Sequence, residues 1–256
     1  MTVLLAAIFL ALYGTGVHYG YQEMSRNAGQ LKALIAPQFL ALGLYFGSFI
    51  ISFLAVMAAV GTISGEIESG VLHAIVPGPV RRSSILLGKF FGYGLMLAVF
   101  AALFYLAVML IIHFNTGLIV PLKIGSAALY CLQPLILLAV AMLGSTFLST
   151  LANGVGSFML YSIGVAGGML EQIGYLASSH VLVDIGIFSS LLMPADAIYR
   201  KIVYSLLSVP GASFSTSLLG PFGSSTEPSV WMLVYTGFYI LGFLFLAIRV
   251  FSRRDI

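Results

Sequence analysis

The sequence predicts an all-α membrane protein of a single domain, built on six transmembrane helices. Two observations carry that prediction. Of 256 residues, 60% are hydrophobic and only 7% are charged, against about 25% charged in a soluble domain. A water-soluble surface cannot be made from so little charge. In addition, six apolar runs each reach the roughly 20 residues that a helix needs to cross about 30 Å of hydrocarbon. In lipid the backbone must pair internally, which makes helix the economical choice for runs this long.

The first span covers residues 2–21. No Lys or Arg precedes its apolar core and no small-x-small site follows, so it reads as a span and not as a cleaved leader. The second, 39–61, is "FLALGLYFGSFIISFLAVMAAVG"; the third covers 85–113, the fourth 126–149 and the fifth 154–176. The sixth, 230–251, is "VWMLVYTGFYILGFLFLAIRVF". Between the fifth and sixth lies an external segment, 177–229. Its run 181–193, "VLVDIGIFSSLLM", contains Asp184 and is too short to span, which suits a re-entrant or interfacial segment. In 195–207, Ile198, Ile202 and Leu206 recur every four residues with Arg200, Lys201 and Ser205 on other faces. That pattern predicts an amphipathic helix lying on the outer surface. Turn chemistry dominates "GASFSTSLLGPFGSSTEPS" beyond it.

Charge orients the spans, because Lys and Arg favour cytoplasmic loops. With loop 62–84 inside, Arg81, Arg82, Lys89, Arg249, Arg253 and Arg254 share one face, and the C-terminus is cytoplasmic. Arg26, Lys32, Lys123, Arg200 and Lys201 are spread over the longer external segments. A seventh full span at 181–193 would put the two basic clusters on opposite faces.

Several function classes fall away. A net charge of +3 is too small to suggest nucleic acid. The chain has one cysteine, Cys131, which alone makes neither an intrachain disulfide nor a metal site and reads as a packing residue. There is no GxxxxGK[ST] loop, no HExxH and no Cys/His cluster; His18, His73, His113 and His180 are scattered. The ten methionines are dispersed and read as core filling. The span centres carry essentially no charge, and Glu171 reads as an acid at the external rim, so ion-coupled transport has little support. Gly43/Gly47 and Gly164/Gly168 recur at four-residue spacing and let helix backbones approach. They suit either a dimer seam or packing within one bundle.

One stretch stands out: "GEIESGVLHAIVPGPVRRSSILLGK", which concentrates Glu66, Glu68, Arg81, Arg82 and Lys89 between long apolar runs. On a helical wheel Ile67, Val71, Ala74 and Ile75 share one side, while Glu66, Ser69 and His73 share the other and Glu68 flanks the apolar face. Pro77 ends this helix over 66–75, and "PGP" makes a stiff turn before Arg81 and Arg82. The residues alone suit docking to a partner surface as well as a helix resting on lipid headgroups.

The order of residues here resembles the cytoplasmic loop of ABC transporter permeases of the type-2 exporter family. Glu66, Glu68, Gly70, Val71 and Leu72 follow its acid-x-acid-x-Gly-(Thr/Val)-Leu pattern. Pro79, Val80 and Arg82 follow its Pro-(Val/Ile)-x-Arg, and Leu86, Leu87, Gly88 and Lys89 its close. "LLMPADAIYR" at 191–200 and the ending "FSRRDI" also resemble that family, and six spans agree. Members usually begin with a cytoplasmic amphipathic helix; this sequence starts within the first span, which departs from the pattern.

The resemblance implies a non-enzymatic permease subunit in a bacterial cell membrane. Two copies, or two close paralogues, form the pathway and pair with separate cytoplasmic ATPase subunits. ATP and magnesium belong to those partners, and no cofactor is expected in this chain. The coupling helix would lie between the second and third spans, with Glu66, Ile67, Glu68, Gly70, Val71, Leu72, His73 and Ile75 meeting the ATPase. Pro77, Pro79, Arg81, Arg82, Gly88 and Lys89 complete this ATPase-coupling set, and the turn from Pro77 to Pro79 would pass the movement stiffly into the third span. The competing reading is a membrane anchor or sensor that binds a partner and moves nothing. An intramembrane enzyme lacks a catalytic constellation.

Overall fold

The structure, a computed structural model, describes residues 2–27, 32–70, 82–118, 123–207 and 228–253. Nine helices make up its regular structure among the described residues: α1 (Thr2–Asn27), α2 (Lys32–Ala59), α3 (Ser64–Glu68), α4 (Arg82–Thr116), α5 (Ile124–Ser145), α6 (Thr150–Leu176), α7 (His180–Leu192), α8 (Ala195–Leu207) and α9 (Val230–Arg253). Among the described residues, five are long and apolar enough to cross a membrane, and six if the bent pair α7–α8 counts as one. The protein is a multi-pass membrane protein of all-helical fold.

Helix α5 sits at the centre. It touches α2, α4, α6, α8 and α9, and Ile136 through Met142 are all buried, so no side of this stretch meets lipid. Helix α4 shows the ordinary arrangement around such a hub. Leu86, Phe90, Leu97, Ala101, Phe104, Val108 and Ile112 recur every three to seven residues and face inward. Phe91, Leu95, Leu103, Leu110 and Phe114 face outward and are exposed. Trp231, Phe238, Leu241 and Phe245 do the same on α9. So much exposed apolar surface suits hydrocarbon and not water.

Helix α6 is 27 residues long, about 40 Å at the helical rise, and runs the depth of the bundle. It is not one of the five, and it carries Asn153, Ser157, Glu171 and Gln172, all buried against neighbours. Two ends of the bundle can be told apart by contacts. The Thr150 hydroxyl meets Ser64 at 2.9 Å and Arg82 donates to the Phe251 carbonyl at 3.4 Å. The loop root, the start of α4 and α6 and the close of α9 therefore lie together, at what we term the loop end. The far end gathers the close of α4 and α6, the starts of α5 and α9 and the close of α8. There Ser205 meets Ser126 at 2.8 Å and accepts from Lys123 through its carbonyl.

Two expectations are corrected. Helix α8 does not lie on a surface: Ala195 through Arg200, Ile202, Val203, Leu206 and Leu207 are buried. Its apolar face packs on α5, and its polar face is covered as well because Arg200 pairs with both Asp196 and Glu171. Nor is Glu171 a rim acid: it lies five residues inside the close of α6 and is buried in an ion pair. The run 181–193 forms α7, which meets α8 at a 109° bend. Both outer ends of this pair lie at the far end of the bundle, and its corner at Met193 reaches Gly164, halfway along α6.

Candidate functional site

At the loop end, α2 closes through a turn at 60–63 and α3 follows. The Lys89 ammonium, in the second turn of α4, donates both to the Thr62 carbonyl and to the Glu66 carboxylate. Residues 27 and 23 positions apart are thereby tied across the root of the loop. Ile67 is half-buried against the core. Gly88 and Gly65 have open space where a side chain would project.

Of the expected helix over 66–75, the described residues hold only the part through Gly70. Helix α3 ends at Glu68, and Gly70 takes a φ of 75°, the left-handed conformation that terminates helices and favours glycine. Val71, Leu72, His73, Ile75, Pro77, Pro79 and Arg81 lie outside the described residues, as does the side chain of Glu68.

A second knot holds this end together, and sequence reasoning missed it. The Asn153 amide donates to the Val60 carbonyl at 3.1 Å and to the Ala141 carbonyl at 2.8 Å. Its own oxygen accepts from Ser157 at 3.2 Å. Thr62 lies 3.4 Å from Ser145 through their hydroxyls. One buried amide thus joins the closing turn of α2 to α5 and α6. The signal was present in the sequence as a lone Asn in an apolar run, since such a residue must find partners in lipid.

Toward the far end a buried polar cluster joins α6, α7 and α8. Arg200 meets Glu171 at 2.7 Å and Asp196 at 3.1 Å, and donates to the Ser190 hydroxyl at 3.1 Å. Deeper in the bundle, Gln133 on α5 accepts from Ser48 at 2.9 Å and donates to the Ala195 carbonyl at 3.1 Å. Tyr199 donates to the Ala41 carbonyl at 2.9 Å. These bonds pin α8 into the bundle from both faces.

The four glycines singled out by spacing all face neighbours in this chain. Gly43 lies against Tyr13, Gly47 against Phe104 and Tyr130, Gly164 against Met193 and Gly168 against the Asp196 carboxyl group. Gly167 against Ser189 and Gly174 against Val183 extend the row on α6. The missing side chains are what let the α7–α8 pair approach α6 closely. Among the described residues no group of three or more His, Cys, Asp or Glu side chains could hold a metal ion. Cys131 is half-buried, with its thiol 3.3 Å from the Ala98 carbonyl.

Comparison with known proteins adds to this geometry. The family model described as "ABC-2 family transporter protein" matches residues 1–256. Two curated proteins, each described as probable ABC transporter permease protein NosY, share a 71-residue stretch with the chain. The one from Stutzerimonas stutzeri is 38% identical and the one from Pseudomonas aeruginosa 37%. In both cases the stretch is 28% of this chain and 26% of the relative, so the match spans about a quarter of these relatives' length.

Proposed function

The chain belongs to the ABC-2 family of transporter proteins, and from that premise we propose that it is the permease subunit of an ATP-driven exporter. It lies in a bacterial cell membrane with its loop end, the coupling end, in the cytoplasm, works as a pair of copies or close paralogues, and meets separate ATPase subunits through loop 62–84. The family match over the whole chain carries this reading. The α7–α8 pair is then a re-entrant segment that enters and leaves at the external face.

The tie from Lys89 to Thr62 and Glu66 suggests how movement leaves the loop. A push on the loop root is transmitted to α4 through a charged pair and a backbone carbonyl, and to α5 and α6 through Asn153. Glu66 is therefore a brace on α4 as well as a contact for the ATPase. Its carboxylate is only partly buried, which leaves room for an outside partner.

Co-purification tests the reading. The chain is expressed in a bacterial membrane with the ATPase encoded beside it and extracted in mild detergent. The two should elute together, and the complex should hydrolyse ATP faster when cargo is supplied. A Glu66→Lys/Glu68→Lys variant should lose co-elution or uncouple hydrolysis from transport. Stable assembly without any change in hydrolysis or transport would favour an anchor instead, and no assembly of the folded wild type would end the permease reading.

A further inference from the structure

Beside the Glu171–Arg200 pair lies a cavity of about 320 Å³. Its size falls at the lower end of small-molecule sites, and its lining has their character, mostly apolar with a few convergent polar groups. Ile187, Leu191, Ala197 and Met232 supply the apolar wall. Glu171 and Arg200, with the Ser190 hydroxyl, supply a polar floor.

The floor belongs to a buried cluster that also includes Asp196, and the charges of that cluster do not balance. Glu171, Asp196 and Arg200 are 7%, 8% and 4% exposed, so two carboxylates are buried with one guanidinium. Lys201, the basic neighbour on α8, is half-buried and donates to the Pro228 carbonyl at the cavity rim, 2.7 Å away. An excess buried negative charge is costly unless a cation or a proton compensates it. An anion would fare badly here. Arg200 is flanked by the Glu171 and Asp196 carboxylates and donates to Ser190, so an incoming carboxylate or phosphate would meet two charges of its own sign.

We propose that this cavity binds a small amphipathic amine, with its ammonium on the Glu171 carboxylate and its apolar body against Ile187, Leu191 and Met232. The ammonium neutralises the cluster without disturbing Arg200. Binding needs no ATPase; only carriage of the bound amine rests on the permease reading. The same ammonium chemistry is offered by a free alkylamine and by an aminolipid headgroup.

The test is calorimetric titration of the full chain in maltoside micelles with n-hexylammonium, n-hexanol and n-hexanoate. The ammonium should bind saturably at one site per chain, at least tenfold tighter than the other two, and more weakly at high salt. Glu171→Gln should lose this preference. Met232→Trp, which fills the cavity and leaves the ion pair intact, should lose binding while the unliganded protein melts as the wild type does. Short-chain phosphatidylethanolamine that competes with the ammonium identifies a lipid as the source; failure to compete identifies the free amine. Equal affinity for hexanol and hexylammonium, or wild-type binding by Met232→Trp, overturns the proposal.

Discussion

The Arg200 guanidinium closes on the Glu171 carboxylate at 2.7 Å, across the whole α7 helix that separates them in sequence. Each side chain is buried, and the same guanidinium reaches Asp196 and Ser190. A pair of this kind contributes little over apolar side chains of similar volume. Breaking it is another matter, because the partner left behind is an uncompensated buried charge.

Arg200→Leu leaves two buried carboxylates without their guanidinium. The loss should be about 3–5 kcal/mol, read as a large drop in the thermal midpoint in micelles. Glu171→Gln should cost less, since Arg200 keeps Asp196. An Arg200→Leu protein that melts with the wild type would show that the clamp contributes nothing.

The α6 glycine row predicts a position-dependent response to one added methyl group. A Cβ at Gly164 would lie 2.9 Å from the Met193 carbonyl oxygen, and one at Gly168 would overlap the Asp196 carboxyl group. Gly164→Ala and Gly168→Ala should destabilise by about 1–3 kcal/mol. Gly92 lies in α4 with nothing within 4 Å of the added atom. Gly92→Ala should be neutral or gain up to about 1 kcal/mol from helix propensity. Equal melting of all three variants would contradict the close approach of α7–α8 to α6.

How much of this was legible in the sequence follows from what hydropathy measures. The long helices could be read because their apolar runs exceed the bilayer length, and α6 could be read despite Asn153 and Glu171. Burial of α8 could not. Ile198, Ile202 and Leu206 give a genuine amphipathic stripe, but the pattern does not say whether the polar face meets water or another buried charge. The partner of Arg200 lies on α6, 29 positions earlier, and no local spacing reveals it. Asn153 was visible as a polar residue in an apolar run, yet its two carbonyl partners depend on where α2 and α5 close.

Asn153 is the test of the knot at the coupling end. Asn153→Leu keeps the bulk but removes the donors to Val60 and Ala141 and the acceptor for Ser157. The expected loss is about 1–3 kcal/mol, the usual cost of leaving buried partners unmade. Asn153→Asp should be worse, because it also buries a charge. Thermal unfolding of the two variants beside the wild type measures both. Unchanged melting of Asn153→Leu would mean that the amide does not hold α2, α5 and α6 together.

The last prediction separates two roles for Glu66. If its carboxylate acts by bracing the loop root on Lys89, then Glu66→Lys and Lys89→Glu should each lower cargo-stimulated ATP hydrolysis in the reconstituted complex. The double exchange should then recover much of it, because the pair is rebuilt with its charges swapped. Recovery would be incomplete, since Lys89 also donates to the Thr62 carbonyl and a glutamate there cannot. If Glu66 instead acts by meeting a basic group on the ATPase, the double exchange should be no better than Glu66→Lys alone. A partly exposed pair of this kind is worth no more than about 1 kcal/mol to folding, so the folded complex should survive all three variants. Activity then reports on transmission and not on stability. Full activity of both single variants would mean that neither role operates and that the loop transmits its movement through the backbone and Asn153.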